Sequence, residues 1–251
     1  MKRNPSIKII SGFNKGLKIN FKPSIDLRPT SNRLKKVLFD WIQFELKDTV
    51  CLDLFAGTGN LGLECISRGA KKVIFVEHNR EYAKKLDMSI HKINSKSKAK
   101  IYETDSINWI KECEVVFDYI FLDPPFDFQK LSQVIKFIDN KKLLKTSGKI
   151  FIESPKTIHP IEMENFKVIK EKIVGDVKGQ LIIRIACRKS PLAVLQANKF
   201  IDAIQKKYGK EIKCRLMPMH SAGDLTDKDL SQIGGKGLFV SGLESALVSG
   251  N

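Results

Sequence analysis

No two cysteines of this chain stand in a C-x-x-C spacing. The five that occur, Cys51, Cys65, Cys113, Cys187 and Cys214, are odd in number, so neither a disulfide framework nor a zinc site is indicated, and a cytoplasmic protein is expected. No apolar run approaches the length of a membrane span. The amino terminus, Met1-Lys2-Arg3-Asn4-Pro5-Ser6, is basic but leads into interrupted hydrophobicity rather than the apolar stretch of a signal peptide, so no targeting is expected either. Acidic residues are scarce, with 28 Asp and Glu against 44 Lys and Arg, a formal charge of +16 and a pI near 9.6. That excess, shared by the residues before and after position 182, favours a polyanionic partner, because each Lys or Arg near a phosphate releases a condensed counterion. A generally lysine-rich composition gives the same sign, so charge alone does not assign nucleic acid. No internal repeat is present. What remains, 42% hydrophobic and 29% charged residues over 251 positions, is a globular composition with chain enough for one large or two smaller domains.

Residues 7 to 22 alternate around Ser11-Gly12 and Lys15-Gly16, which predicts a small β-hairpin. Pro29-Thr30-Ser31-Asn32 supplies capping chemistry for a helix in which Leu34, Val37, Leu38, Trp41 and Ile42 recur at helical spacing through about residue 46. Strand-like runs then follow at 50–54, 73–77, 100–103, 117–122 and 149–153, with amphipathic stretches between them. Such alternation argues for βαβ units and a parallel sheet covered on both faces, an α/β fold. The runs at 166–174 and 180–186 have no helix between them and predict a terminal hairpin whose turn suits Gly175 and Gly179. The Lys- and Ser-rich stretch from Asn94 to Lys100 reads as a solvated loop.

The segment Cys51-Leu52-Asp53-Leu54-Phe55-Ala56-Gly57-Thr58-Gly59-Asn60-Leu61-Gly62 sets a glycine-rich turn between a buried strand and a helix. Gly57 to Gly62 reads as G-x-G-x-x-G, with Glu77 at the end of the next strand. Glycines let backbone approach a ligand, the helix start offers free N–H groups, and the later carboxylate suits a ribose diol. This pattern does not separate a dinucleotide from S-adenosylmethionine, since both carry an adenosine ribose. Asp53 favours the second: a carboxylate there sits badly beside a pyrophosphate but can pair with the cationic amino group of a methionine moiety. Asp105, after the following strand, is placed either to meet an adenine amino group or to cap a helix.

The strand Phe117-Asp118-Tyr119-Ile120-Phe121-Leu122 ends in Asp123-Pro124-Pro125-Phe126, at the carboxyl edge where open α/β sheets bind ligands. The prolines stiffen the backbone. The Asp123 oxygen and the Pro124 carbonyl can accept the two hydrogens of an exocyclic amine and aim its lone pair at a methyl donor, while Phe126 stacks on the base. The sulfonium is already activated, so neither a metal nor a nucleophilic side chain is required.

With these motifs the chain resembles the bacterial 16S ribosomal RNA guanine-N2 methyltransferases of the small-subunit type. The resemblance covers residues 7 to about 182: Ile9-Ile10-Ser11-Gly12 with Lys15-Gly16, Leu27-Arg28-Pro29-Thr30 with Arg33, Asp53 to Gly62, Asp123 to Phe126, and Glu153. It implies a Rossmann-like class I S-adenosylmethionine-dependent methyltransferase fold with an amino-terminal β-hairpin. It implies that Asp53, Phe55, Gly57, Gly59, Glu77 and Asp105 line the cofactor pocket and that Asp123, Pro124, Pro125 and Phe126 hold the guanine. Arg28, Thr30 and Arg33 would then serve the substrate, which is 16S rRNA or an assembling small ribosomal subunit. A monomer is expected.

A second resemblance starts where the first ends. Ile183 to Ala193 with Gln196-Ala197, and Ile233-Gly234-Gly235-Lys236-Gly237-Leu238-Phe239, are similar to the beginning of hydroxymethylbilane synthase, also called porphobilinogen deaminase. It implies a partial α/β segment over 183–251, in which Arg188, Ser190 and Lys236 would bind carboxylates of a dipyrromethane, and which is expected to be inactive in tetrapyrrole synthesis. Gln180 to Ala186 could close the first sheet or open the second but cannot pair in both; we assign it to the first, as in a joining of two genes, and expect a helix near 191–207. A methyltransferase acting on DNA adenine or on protein, a nicotinamide enzyme built on the same loop, and a fragment binding acidic pyrroles stay open at this level.

Overall fold

The structure is a computed structural model that describes residues 6–20, 32–157, 165–184, 186–188 and 217–219. It begins with the expected hairpin, β1 (Ser6–Lys8) and β2 (Lys18–Asn20), paired antiparallel with Ile7 opposite Ile19. Gly12 and Gly16, at φ 83° and 87°, carry the left-handed backbone of its loop. Helix α1 (Asn32–Trp41) follows, then β3 (Val50–Asp53), α2 (Asn60–Ser67), β4 (Lys72–Glu77), α3 (Arg80–Lys92), β5 (Ala99–Glu103), α4 (Ser106–Glu112), β6 (Phe117–Leu122), α5 (Leu131–Asn140), β7 (Leu144–Pro155), β8 (Phe166–Val174) and β9 (Val177–Arg184).

Strands β3 to β9 form one seven-stranded sheet in the order β5-β4-β3-β6-β7-β9-β8. The first five are parallel, and β9 joins β7 antiparallel and then pairs with β8. The chain reverses its march across the sheet between β3 and β6, the point at which open α/β sheets leave a crevice. Alternation sorts the side chains between two layers. Cys51, Phe75, Phe121 and Phe151 pack with Leu34, Leu38, Leu61, Leu86 and Ile90 from α1, α2 and α3. Leu52, Ile74, Ile120 and Ile150 pack with Ile107, Ile110, Val134 and Ile138 from α4 and α5. Both faces are covered, as parallel sheets require.

Close approach of α2 to the sheet needs glycine at position 62, where a Cβ would lie 2.2 Å from Phe75 Cε1. A buried ion pair between α1 and α2, which the sequence did not announce, also holds the backbone of the hairpin. Lys35 Nζ lies 3.0 Å from Glu64 Oε2, and both side chains are fully buried. The ammonium also donates to the Lys8 carbonyl at 3.1 Å and to Asn60 Oδ1 at 3.0 Å. Glu64 in turn accepts the N–H groups of Ile10 and Ser11, at 2.8 and 2.9 Å, and Arg68 Nε at 2.9 Å. Burial lowers the Lys35 pKa, against the opposing pull of Glu64, but every donor of the ammonium is matched by an acceptor.

Several expectations are corrected. α1 ends at Trp41, not near 46; Ile42 and Leu46 stay buried in the turns that follow, so apolar periodicity outlasts the helix. Gly175, at φ 64°, makes the β8–β9 turn, but Gly179 lies within β9, where Leu34 Cδ1 would meet a Cβ at 2.7 Å; close packing, not turn geometry, explains it. The Asn94 to Lys100 loop is shorter than expected, for β5 starts at Ala99. The contested segment divides. Residues up to Arg184 close the seven-stranded sheet, with Ile183 opposite Lys149, whereas Ala186 opens β10 (Ala186–Arg188), which pairs in parallel with β11 (Met217–Met219) in a separate two-stranded sheet. Arg184, the last residue of β9, pairs with Asp139 and lies over the Phe166 ring. The helix expected near 191–207 lies outside the described residues. Among the described residues no helix is long and apolar enough to cross a membrane.

Candidate functional site

The carboxyl edge of the parallel strands opens into a cavity of about 710 Å³. The glycine loop forms one wall. Ala56 N–H donates to the Val76 carbonyl at 3.0 Å and Gly59 N–H to the Ala56 carbonyl at 2.7 Å, while Gly57 and Gly59 take φ of 52° and 80°. A side chain at either would be strained. The loop is held from beneath by two carboxylates. Asp53 Oδ2 accepts the Gly62 N–H at 2.9 Å, and Glu77 accepts the N–H groups of Gly57 and Asn79, each at 2.7 Å.

Four carboxylates, Glu77, Asp53, Asp123 and Glu153, line this cavity from adjacent strands. Register puts them on one face. Asp53 pairs with Phe75 and Phe121, and Phe121 pairs with Phe151; Glu77, Asp123 and Glu153 each follow one of those phenylalanines by two residues, so all share the face of the α1–α3 layer. Asp53, Glu77 and Glu153 are nearly buried, at 2%, 5% and 5% exposure. Burial pushes the Asp53 carboxyl up to about 7, and the charges of Asp123 and Glu77 add to this, against the Gly62 hydrogen bond. A cation placed beside Asp53 would relieve that penalty.

The structure brings Asp53, Phe55, Gly57, Glu77, Asp105, Asp123, Pro124, Pro125 and Phe126 to one cavity, with Gly59 in the loop that walls it. Asp105 caps α4, accepting the Asn108 N–H at 2.9 Å, and also faces the cavity. Phe55 meets Phe128 edge to face, with centroids 4.9 Å apart. Phe126 is 43% exposed at the rim. Arg33 is exposed on the first turn of α1 and is not among the cavity's lining residues. Arg28, Thr30, Ser190 and Lys236 lie outside the described residues, and Arg188 lies in β10. Sequence reasoning missed Asn79, Asn60 and Phe128, which also line the cavity. Asn79 had a signal: its Oδ1 caps α3 by accepting the N–H groups of Glu81 and Tyr82 at 2.9 and 3.2 Å, an Asx cap just after Glu77. No group of His, Cys, Asp and Glu suited to a metal occurs among the described residues.

The fold and motif find matches among known proteins. A family model described as conserved hypothetical protein 95 matches residues 7–183, and one described as the dipyromethane cofactor binding domain of porphobilinogen deaminase matches residues 183–251. Ribosomal RNA small subunit methyltransferase D of Buchnera aphidicola is 36% identical over 183 residues, covering 72% of this chain and 95% of that protein. A solved structure from Haemophilus influenzae, assigned as a methylase, superposes with a TM-score of 0.61 at 33% identity, covering 71% of this chain and 98% of its own. Porphobilinogen deaminase of Acetivibrio thermocellus is 49% identical over 69 residues, 27% of this chain and 23% of that protein. The sheet order and helical layers are those of class I methyltransferases. Over residues 7–183 the chain belongs to the conserved hypothetical protein 95 family, with the ribosomal RNA small subunit methyltransferases D among its relatives, and it continues into a segment of porphobilinogen deaminase type.

Proposed function

We propose that this protein transfers a methyl group from S-adenosylmethionine to the exocyclic N2 of a guanine in 16S ribosomal RNA. The observation that carries this reading is the run of carboxylates Glu77, Asp53 and Asp123 along one sheet edge, with the Pro124-Pro125 turn beside it. The donor set fits the cofactor. Asp53, costly to ionise alone, answers an ammonium; Glu77 answers a ribose diol beside the Gly57 and Gly59 backbone; Phe55 offers an apolar wall and Asp105 an acceptor for an adenine amine. When bound, S-adenosylmethionine supplies a methyl already activated by a cationic sulfur.

The chain's own work is alignment. Asp123 and the Pro124 carbonyl accept the two N2 hydrogens and turn the nitrogen lone pair toward the Asp53 side of the cavity. As the nitrogen gains its methyl it must lose one proton, and the Asp123 carboxylate is placed to take it. Phe126, at the rim, stacks on a base withdrawn from its helix, which offsets part of the unstacking. Arg28, Thr30 and Arg33 contact the RNA backbone, in keeping with the basic balance of the chain.

Support for an rRNA substrate comes from the name of the Buchnera relative, matched over nearly its whole length. We assign the methyltransferase to residues 1–182, the bounds expected from the sequence, with Ile183 and Arg184 completing its last strand, and the deaminase-type segment to the remainder of 183–251, and we place the protein in the cytoplasm as a monomer. The test is an Asp123→Ala variant. S-adenosylmethionine should still bind with affinity near that of the wild type, while methyl transfer to small-subunit particles falls by at least about 10²-fold. Unchanged transfer would remove Asp123 from the reaction.

A further inference from the structure

We propose that Glu153 selects guanine over other aminopurines by accepting the N1–H of the target base. This rests on the guanine-N2 reading above and assigns a residue whose role that reading leaves open. Across the sheet the order β4-β3-β6-β7 places Glu77, Asp53, Asp123 and Glu153 in a line. Glu77 and Asp53 belong to the cofactor end, and Asp123 to the reacting amine. Glu153 stands one further strand, about 4.8 Å, beyond Asp123 on the side away from the cofactor. Phe121 pairs with Phe151 and Leu122 with Ile152, so Asp123 and Glu153 extend neighbouring strands in matching register. Glu153 lines the cavity and is 5% exposed.

The atom next to N2 on the Watson–Crick edge of guanine is N1, which carries a hydrogen. With Asp123 on N2, the neighbouring carboxylate faces N1. A carboxylate accepts and cannot donate. It therefore suits the N1–H of guanine and opposes the N1 lone pair of adenine or 2-aminopurine, although 2-aminopurine presents the same N2 amine to Asp123. The Asp-Pro-Pro-Phe turn recognises an amine; Glu153 would supply the identity of the base that bears it.

The experiment uses the full chain with small-subunit particles whose methylated position carries either guanine or 2-aminopurine, introduced by RNA ligation. Wild-type protein should favour guanine by about ten- to hundredfold in kcat/KM, the range of a hydrogen bond to a charged group. Glu153→Gln, which can donate as well as accept, should reduce that preference at least about tenfold, mainly by improving transfer to 2-aminopurine. Glu153→Asp keeps the charge and should keep the guanine preference at a lower rate. Titration with S-adenosylmethionine checks that each variant retains its cofactor site. A guanine preference unaltered in Glu153→Gln overturns the assignment. So does loss of transfer to both bases with cofactor binding intact, which would make Glu153 part of the reacting end rather than the reader of N1. Absence of N2-methylguanosine from wild-type reactions would instead defeat the proposed reaction itself.

Discussion

Asp53→Asn should stabilise the ligand-free protein while abolishing its affinity for S-adenosylmethionine. The Asp53 carboxyl is fully buried, and its pKa is raised from an ordinary 3.8 to about 7. Below about pH 4 the folded and unfolded chains both hold this proton, and Asp53 costs nothing. As pH rises toward 7 the unfolded chain gives up the proton while the folded chain keeps it, so stability falls with pH across this window and levels off above it. At about 1.4 kcal/mol per tenfold, the full penalty is about 4 kcal/mol. Asparagine carries no charge, and its Oδ1 can still accept the Gly62 N–H that Asp53 accepts at 2.9 Å. Urea unfolding of wild type and variant from about pH 4 to pH 8 checks this: the variant's advantage should be near zero at the acid end and approach about 4 kcal/mol at the alkaline end. A variant less stable than wild type at the alkaline end, or a difference that does not change with pH, would refute the reasoning. A bound ammonium requires Asp53 ionised, so wild-type affinity for S-adenosylmethionine should rise with pH up to about 7 by as much as tenfold per pH unit, as isothermal titration would show.

Other perturbations address the frame around the site. Gly62→Ala brings a Cβ to 2.2 Å from Phe75 Cε1, and overpacking should cost about 1–3 kcal/mol despite alanine's better helix propensity; an unchanged or higher Tm would contradict this. Lys35→Met strips the buried Glu64 of its ammonium partner and should destabilise the chain by about 3–5 kcal/mol, with faster amide exchange at Ile10 and Ser11, whose N–H groups Glu64 accepts; retained protection at both amides would show that the hairpin is held by other contacts. Phe126→Ala removes the exposed aromatic at the rim and should weaken RNA binding by about 1–3 kcal/mol, read as a raised KM for particles with S-adenosylmethionine affinity unaltered.

The parallel sheet was legible because β3, β4 and β6 are short apolar runs bounded by turn signals, and Asp53, Glu77 and Asp123 were legible because each ends such a run. Their alignment on one face was not, because it depends on which strands neighbour each other and in what register, facts carried by long-range pairing rather than spacing. That is why Glu153 drew attention only by resemblance. The Lys35–Glu64 pair was invisible for a related reason: a lysine on a helix is ordinarily solvated, and only the packing of β1 and α2 around it creates three acceptors for its ammonium. Gly179 was misread because a glycine near a hairpin suggests a turn, whereas here it clears room for Leu34. The end of β9 was blurred because Leu181 to Ala186 is nearly continuous in apolar character and offers no sign that β9 stops at Arg184.

The central claim is chemical, and transfer of a labelled methyl group from S-adenosylmethionine to small-subunit particles lacking rRNA methylation, followed by nucleoside analysis, tests it most directly. The account predicts label in N2-methylguanosine from 16S rRNA, present with the full chain and lost with Asp123→Ala. Label in another nucleoside or in ribosomal protein, or no transfer by a chain that binds the cofactor, would contradict it.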